Sequence, residues 1–316
     1  MGDVDAATGS EEATGEDGDV CVLVPALDEA ETIGRVIDEM HEQGYGNVLV
    51  IDGGSSDGTV EVAREHGARV EQQSGSGKGQ AIREALSMIE AEFVLMLDGD
   101  GTYRAADADA MLEPLRAGRA EHVIGNRFAD MESDAMPRMN QFGNRLINRA
   151  FAFIHGRDLV DITSGYRAFT RESVGRFRLS ATGFGIETEL AVECVKHDAG
   201  TEIVPLTYRS RPEGSDTNLR PVRDGGIILI TLYRLAKTNN PLFYFGSVGV
   251  LSILFGTGIG IYVGVEWFTQ SVSHEVLAVV AGVSLLFGLQ LLMFGVLSDM
   301  LLSLHREQLH RIERSD

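Results

Sequence analysis

Phe93-Val-Leu-Met-Leu-Asp98-Gly99-Asp100 is the stretch that decides the fold: five apolar residues run straight into two carboxylates two positions apart. A short continuous apolar run reads as a strand buried on both faces, and the polar residues after it as the loop at its carboxyl end. In open α/β sheets, ligands bind at that end.

Working outward, three more strands are predicted over residues 20–25, 48–52 and 68–71, alternating with helices over 30–43, 58–66 and 78–90. Ile33, Val36, Ile37 and Met40 sit at helical spacing in the first helix. Alternation at this pitch predicts the α/β class: a Rossmann-like, mostly parallel sheet with right-handed crossovers and helices on both faces. The four strand ends, at Pro25 to Glu29, Asp52 to Ser55, Gln72 to Gly79 and Asp98 to Asp100, should then form one rim.

Residues 241–265 and 276–297 carry no charge. At ~1.5 Å per residue each covers a hydrocarbon core of ~30 Å, so a C-terminal two-helix transmembrane hairpin is expected within residues 241–304. Residues 266–275, between the spans, have no Lys or Arg, whereas Arg220, Arg223, Arg234 and Lys237 precede the first span and Arg306, Arg311 and Arg314 follow the second. The positive-inside rule then places both termini and the α/β domain on the cytoplasmic side of a two-pass cell-membrane protein. Residues 222–240 are read as a juxtamembrane amphipathic segment, and 305–316 as a cytoplasmic tail.

The 316 residues carry a net charge of −20, which argues against nucleic-acid binding. The charge is uneven: residues 1–126 hold 27 acids against 8 bases, whereas residues 127–234 hold 14 against 15. Anionic ligands are therefore expected at the central block. Residues 1–19 contain seven acids and no Lys or Arg, and are read as a disordered acidic tail rather than a signal peptide. Cys21 and Cys194 lack metal-ligand spacing and are expected as reduced, buried thiols.

Asp98 and Asp100 can point to one side of a strand end and grip one Mg2+ or Mn2+ through hard oxygen ligands, leaving other positions for water and a diphosphate. Asp52 precedes Gly53-Gly54-Ser55-Ser56-Asp57-Gly58-Thr59, where a carboxylate can accept from a base N–H while Ser56 or Asp57 caps the next helix. Gly75-Ser76-Gly77-Lys78-Gly79 fails the Walker pattern, because Gln72 stands at its first glycine and Gly79 follows the lysine. What remains is a loop at a helix N-terminus, where backbone N–H groups and Lys78 favour an anion.

Taken with Val24-Pro25-Ala26-Leu27-Asp28-Glu29 and Gly77-Lys78-Gly79-Gln80-Ala81, these motifs resemble, in order and spacing, family 2 glycosyltransferases of the GT-A fold. More closely the chain resembles dolichol-phosphate hexosyltransferases, including the archaeal enzymes that load the first sugar of an S-layer N-glycan. The resemblance covers residues 20–221, read as the GT-A domain. Its low lysine and high acid content also resembles that of proteins from salt-loving archaea.

The resemblance implies that Pro25, Glu29 and Asp52 hold the nucleoside, and that Lys78, Asp98, Arg209 and Arg211 complete a nucleotide-sugar site. Asp100 and Arg127 are implied as catalytic. Arg138 with Gly143-Asn144, together with Ser164 and Arg167 of Ser164-Gly165-Tyr166-Arg167, is implied at the lipid phosphate. One departure stands at Gly53, where the family usually has a second Asp.

The implied reaction is a metal-dependent, inverting transfer of a hexose from a nucleotide diphosphate sugar to dolichyl phosphate, supplying protein N-glycosylation. UDP-glucose is favoured by the resemblance; GDP-mannose is the alternative donor. Because a phosphate acceptor is already an oxyanion near neutral pH, no strong base is required, and Glu187 is the nearest candidate for one. A nucleotidyltransferase would need a basic glycine-rich loop after the first strand, and a processive synthase a Gln-x-x-Arg-Trp motif; neither is present. In a non-catalytic membrane scaffold, Asp98 and Asp100 would be dispensable.

Overall fold

The computed structural model describes residues 18–133, 135–183, 185–211 and 221–313. The acidic tail expected over 1–19 lies outside the described residues, save for its last two positions. Two compact units emerge: Met1–Arg145 with Leu159–Pro221, and Leu146–Asp158 with Val222–Asp316.

The first unit is built on seven strands, β1 (Val20–Ala26), β2 (Val48–Asp52), β3 (Arg69–Gln72), β4 (Phe93–Met96), β5 (His122–Met131), β6 (Arg167–Thr170) and β7 (Thr201–Tyr208). They form one sheet in the order β3-β2-β1-β4-β6-β5-β7. The first four run parallel, as does β7 beside β5, while β6 is antiparallel to both its neighbours. The alternation of strand and helix accounts for the parallel half, since each crossover needs a helix on a sheet face.

Helices α1 (Ile33–Glu42), α2 (Thr59–Glu65), α3 (Lys78–Met88), α4 (Ala108–Arg116), α5 (Arg138–His155), α6 (Arg171–Gly175) and α7 (Ile186–Lys196) follow in chain order. Side chains of a strand alternate between faces, and β1 shows it: Val20, Val22 and Val24 join the core that includes α1 and α4, whereas Cys21 and Leu23 join the core of α3 and α7. Cys21 and Cys194 are free and buried, as expected from their apolar settings.

Pro25 stands in a central strand, a position that normally needs an N–H for the ladder. β1 outruns β4 there, since their pairing ends at Leu23↔Met96 while β1 still pairs β2 at Pro25↔Ile51. The missing donor falls where β4 is no longer beside it.

In the second unit, α8 (Pro221–Asn239) is followed by α9 (Pro241–Gln270) and α10 (Glu275–Glu313). In α8, Ile228, Leu232 and Ala236 are buried four residues apart, whereas Leu229, Ile230, Arg234 and Lys237 are exposed. α9 and α10 are each long and apolar enough to cross a membrane, with 11% of each apolar window buried. They meet at small residues: a Cβ on Gly288 would strike Ile253, and one on Gly256 would lie 2.8 Å from the Ala281 carbonyl oxygen.

Both helices run past the expected limits of 265 and 297. The loop expected over 266–275 shrinks to residues 271–274, because Glu266 stays helical and accepts from Gln270 one turn on at 3.1 Å. The expected tail over 305–316 likewise begins as a continuation of α10.

Candidate active site

The loops after β1, β2, β3 and β4 lie side by side, as the strand order requires. They are tied together by short polar side chains. Asp28 accepts from the Ser56 N–H at 2.8 Å, and its own N–H donates to Ser55 Oγ at 2.9 Å. Asp57 accepts from the N–H groups of Ala30 and Thr59, linking the first loop to the start of α2. The residue at the cap position itself is Gly58, with φ of 96°, so Asp57 acts from one position earlier than expected.

Asp52 is 1% exposed, and its carboxylate accepts from the N–H groups of Gly54 and Ser55. It locks the glycine-rich turn from inside. Gly53 packs against Leu27 and donates to the Ala26 carbonyl at 2.8 Å, so a side chain in the place of the family's usual Asp would be crowded.

Behind this turn lies an acidic centre. Glu29 is held by Thr32, whose hydroxyl also donates to the Gly99 carbonyl at 2.7 Å, pinning the Asp98-Gly99-Asp100 loop to α1. Burial pushes the Glu29 carboxyl up to about 7; Arg211 opposes this, and the negative charges of Asp100 and Asp98 reinforce it. Asp100 accepts from Thr102 and forms a 2.5 Å ion pair with Arg211, which also approaches Glu29 at 3.9 Å. Burial works against the Arg211 charge, but Asp100 and Glu29 raise its pKa above the usual arginine value.

Asp98 packs on Gly165, where any Cβ would overlap its carboxylate. Its Oδ1 pairs with Lys78 Nζ at 2.5 Å, and the same ammonium lies 2.5 Å from Glu187 Oε1. Burial alone would lower the Lys78 pKa, but the two carboxylates raise it well above the ordinary lysine value. Lys78, expected to favour an anion, is paired with two of the chain's own carboxylates. That loop is seated rather than free: Gly79 donates to the Thr182 carbonyl at 3.1 Å, and Gly77, at φ of 92°, lies so close to it that a Cβ would overlap.

Glu187 is 4% exposed and committed to Lys78, a position unsuited to the base role weighed for it from sequence. Its neighbours on α7 brace the same region. Glu189 accepts from the N–H groups of Ser180 and Ala181, and Glu193 from that of Arg178.

The arginines divide into three groups. Arg127 forks onto Asp161 through Nε and Nη2, both at 2.8 Å, and Nη2 also donates to Thr163. Burial opposes its charge and Asp161 restores it, leaving the pKa well above the usual arginine value. Arg167 has no exposed surface and donates to the carbonyls of Ser164 and Ile162, while Ser164 is also fully buried. Both shape the 161–165 loop that backs Asp98, and neither faces solvent as a direct phosphate ligand would.

Arg209 turns away from the site and grips Glu39 of α1 at 3.1 Å, while Arg211 turns in. Between them, Ser210 donates through its N–H to Glu132 at 2.9 Å. Glu132 lines a separate hollow of about 660 Å3 with Arg138, Arg145, Phe128, Met136 and Gln141. Arg138 and Arg145 are both exposed there, and Arg145 lies 5.9 Å from the Phe128 ring centre.

Sequence reading missed Asp161, Thr32, Arg145 and the backbone of Thr182. No spacing rule joins Asp161 to Arg127, 34 positions away. Arg145 could have been found, because it lies two turns after Arg138 on one helix.

Among the described residues, no group of three or more His, Cys, Asp or Glu side chains forms a closed metal cage. Asp98 and Asp100 nonetheless suit Mg2+ or Mn2+ by their chemistry: both offer hard carboxylate oxygens, with Glu29 a third acid nearby, although Lys78 and Arg211 pair with the two aspartates in this structure. Such a cation would draw its remaining ligands from a diphosphate and water.

The sequence profile of "Glycosyl transferase family 2" matches residues 21–177. The "Glycosyltransferase AglJ" of Haloferax volcanii is 64% identical over 295 residues, covering 93% of this chain and 97% of that protein. The "Dolichyl-phosphate hexose transferase" of the same organism is 30% identical over 212 residues, covering 66% of this chain and 90% of that one. Among solved structures, glucosyl-3-phosphoglycerate synthase from Mycobacterium tuberculosis, in complex with Mn2+, UDP-glucose and phosphoglyceric acid, superposes with a TM-score of 0.57. At 23% identity over 69% of this chain and 79% of that one, this likeness shows a shared fold.

Proposed function

The chain belongs to glycosyl transferase family 2, and we propose that it transfers a hexose from a nucleotide diphosphate sugar to dolichyl phosphate, with inversion at the anomeric carbon. UDP-glucose is the favoured donor, and the product would feed protein N-glycosylation. The reading rests above all on one arrangement. The Asp98–Asp100 centre with Arg211 stands at the strand ends, and Ser210 links its segment to a hollow bearing Arg138 and Arg145. Relatedness to a protein called dolichyl-phosphate hexose transferase and two apolar helices long enough to cross a membrane support a lipid acceptor.

Each part has a task set by its chemistry. Asp52 and the turn it locks form a rigid seat for the nucleoside, with glycines that let a ring approach. Asp98 and Asp100 would hold the divalent cation, which when bound supplies Lewis-acid neutralisation of the leaving diphosphate. Arg211 donates to the diphosphate oxygens from the opposite side, bringing positive charge to where negative charge develops. Arg127 and Arg167 keep the 161–165 loop rigid behind Asp98.

In the hollow, Arg138 and Arg145 orient the acceptor phosphate, whose oxyanion attacks the anomeric carbon as the bond to the diphosphate oxygen breaks. The attacking oxygen carries no proton that must leave, so no side-chain base is needed. Attack opposite to the leaving group converts an α-linked donor into a β-linked product. By the positive-inside rule the catalytic unit and both termini are cytoplasmic, with residues 271–274 on the far side.

Membranes containing the chain, incubated with labelled UDP- or GDP-hexoses and dolichyl phosphate, should yield labelled lipid that disappears with EDTA. Unchanged transfer by the Asp98→Asn/Asp100→Asn variant would sink the mechanism. Transfer from GDP-mannose alone would replace the donor.

A further inference from the structure

Lys78 is bound to its place at both ends. The glycines on either side of it, Gly77 and Gly79, are seated against Thr182 and Ala181, and Glu189 holds the start of that segment through the N–H groups of Ser180 and Ala181 at 2.8 Å. Its ammonium lies between Asp98 and Glu187, 2.5 Å from each, with the three side chains 16%, 28% and 6% exposed. The lysine therefore cannot swing out to water, and an ammonium in such a place is strongly penalised whenever it lacks a counter-charge.

Lys78 is also the first residue of α3, where the helix dipole disfavours a cation, so its dependence on carboxylates is doubled. Glu187 stands in the first turn of α7, where the dipole favours a negative charge. The deeper acid is thus the permanent one. Asp98, at the exposed end, has a second demand on it if it is to ligate a cation, as the proposed function requires and on which the following rests.

We infer that Glu187 is a positioning residue that keeps Lys78 paired while Asp98 releases the ammonium and takes a divalent cation. With Asp98 as sole partner, each cation bound would strand a largely buried lysine. With Glu187 present, Lys78 shifts its hold inward and the pair stays neutral. Glu187 touches neither donor nor acceptor; it sets how readily Asp98 becomes available.

The full chain in detergent micelles, titrated with Mn2+ alone and with UDP or GDP, tests this through the electron paramagnetic resonance signal of free Mn2+. Glu187→Gln should weaken Mn2+ binding about tenfold or more, within the range for residues that orient metal ligands. Glu187→Asp should bind nearly as the unaltered chain does. Lys78→Met/Glu187→Gln should recover the affinity, because no ammonium then competes for Asp98. A purely structural Glu187 would lower thermal stability in both variants without this recovery.

Unchanged Mn2+ affinity in Glu187→Gln, or a double variant as weak as the single one, would overturn the inference. Should Glu187→Gln fail to fold, the double variant decides: affinity equal to the unaltered chain supports the inference, and a tenfold loss refutes it. If the unaltered chain binds no Mn2+, or Asp98→Asn/Asp100→Asn binds as tightly, the metal reading itself has failed and the inference falls with it. If the metal reading passes and Glu187→Gln is silent, the inference alone falls.

Discussion

Arg127 and Asp161 form a two-pronged ion pair at 2.8 Å in a setting where Arg127 is 8% and Asp161 0% exposed. The pair joins the middle of β5 to the loop that backs Asp98, and the Arg127 guanidinium also lies 5.6 Å from the Tyr208 ring centre. Removing one partner strands the other charge. Arg127→Met or Asp161→Leu should therefore cost about 3–5 kcal/mol of stability. The double variant should lose less than the two singles combined, which thermal unfolding in detergent would show. Arg127→Lys, which lacks the fork, should recover only part of the loss.

His122 makes the fold sensitive to acid. Arg167 Nη1 lies 3.3 Å from His122 Nε2, and a guanidinium only donates, so Nε2 accepts and the proton resides on Nδ1, facing Cys194 Sγ at 3.1 Å. Burial, with the Arg167 charge beside it, holds this imidazole well below the ordinary histidine pKa. Burial also lowers His155, to about 4. Both fold as neutral rings, whereas the unfolded chain takes up their protons near pH 6.5. The two rings should contribute level stability above that pH and lose it as pH drops below it, by up to about 1.4 kcal/mol per unit each and with the His155 share ending near pH 4, while the raised Glu29 carboxyl contributes in the opposite sense between about pH 7 and 4.5. Unfolding midpoints between pH 8 and 5 would trace the net slope, and His122→Gln should remove the share of one ring while that of His155 persists.

Arg209 and Arg211, two positions apart, pair with Glu39 and Asp100 respectively, and the proposed function makes only Arg211 a ligand of the donor. Arg211→Ala removes the donor facing Asp100 and should lower kcat/KM roughly 100-fold. Arg209→Ala breaks a partly exposed pair with Glu39 and should cost only about 0.5 kcal/mol, with activity nearly unchanged. Steady-state assays of the two variants should show the contrast; equal losses would show that Arg209 also serves the donor.

Arg138 and Arg145 should act on the acceptor alone. Alanine at either position should raise the KM for dolichyl phosphate about tenfold and leave donor affinity intact, since both arginines line the hollow beside Glu132 rather than the Asp98–Asp100 centre. Titrating donor and acceptor separately would test the division.

The parallel half of the sheet was legible because β1, β2 and β4 are continuous apolar runs ending in polar loops, so that Glu29, Asp52 and Asp98 could be placed on one rim from sequence. The carboxylate pair at 98 and 100 was legible for the same reason. What escaped was partnership across sequence distance. Nothing local shows that Lys78 faces Glu187, that Arg127 belongs to Asp161, or that Arg209 turns outward while Arg211 turns inward. The resemblance implied Arg167 at the lipid phosphate, and no local signal shows that its guanidinium lies buried, donating to the carbonyls of Ile162 and Ser164. The antiparallel β6 was equally hidden, since its four residues carry no signal of direction.

The brace under Lys78 also sets a schedule. The ribosome releases Lys78, Asp98 and Asp100 early, but Ala181, Thr182 and Glu187, which seat the lysine, are made about a hundred residues after it. A nascent chain ending near Asp100 owns every acid of the rim, Asp98 included, but lacks Glu187 and the seat at Ala181 and Thr182. Chains generally acquire structure from the N-terminus during synthesis, so here the earliest residues must wait for the latest part of their own unit. The centre becomes complete only shortly before α9 and α10 emerge, so the chain acquires a finished site at nearly the moment it acquires its two long apolar helices.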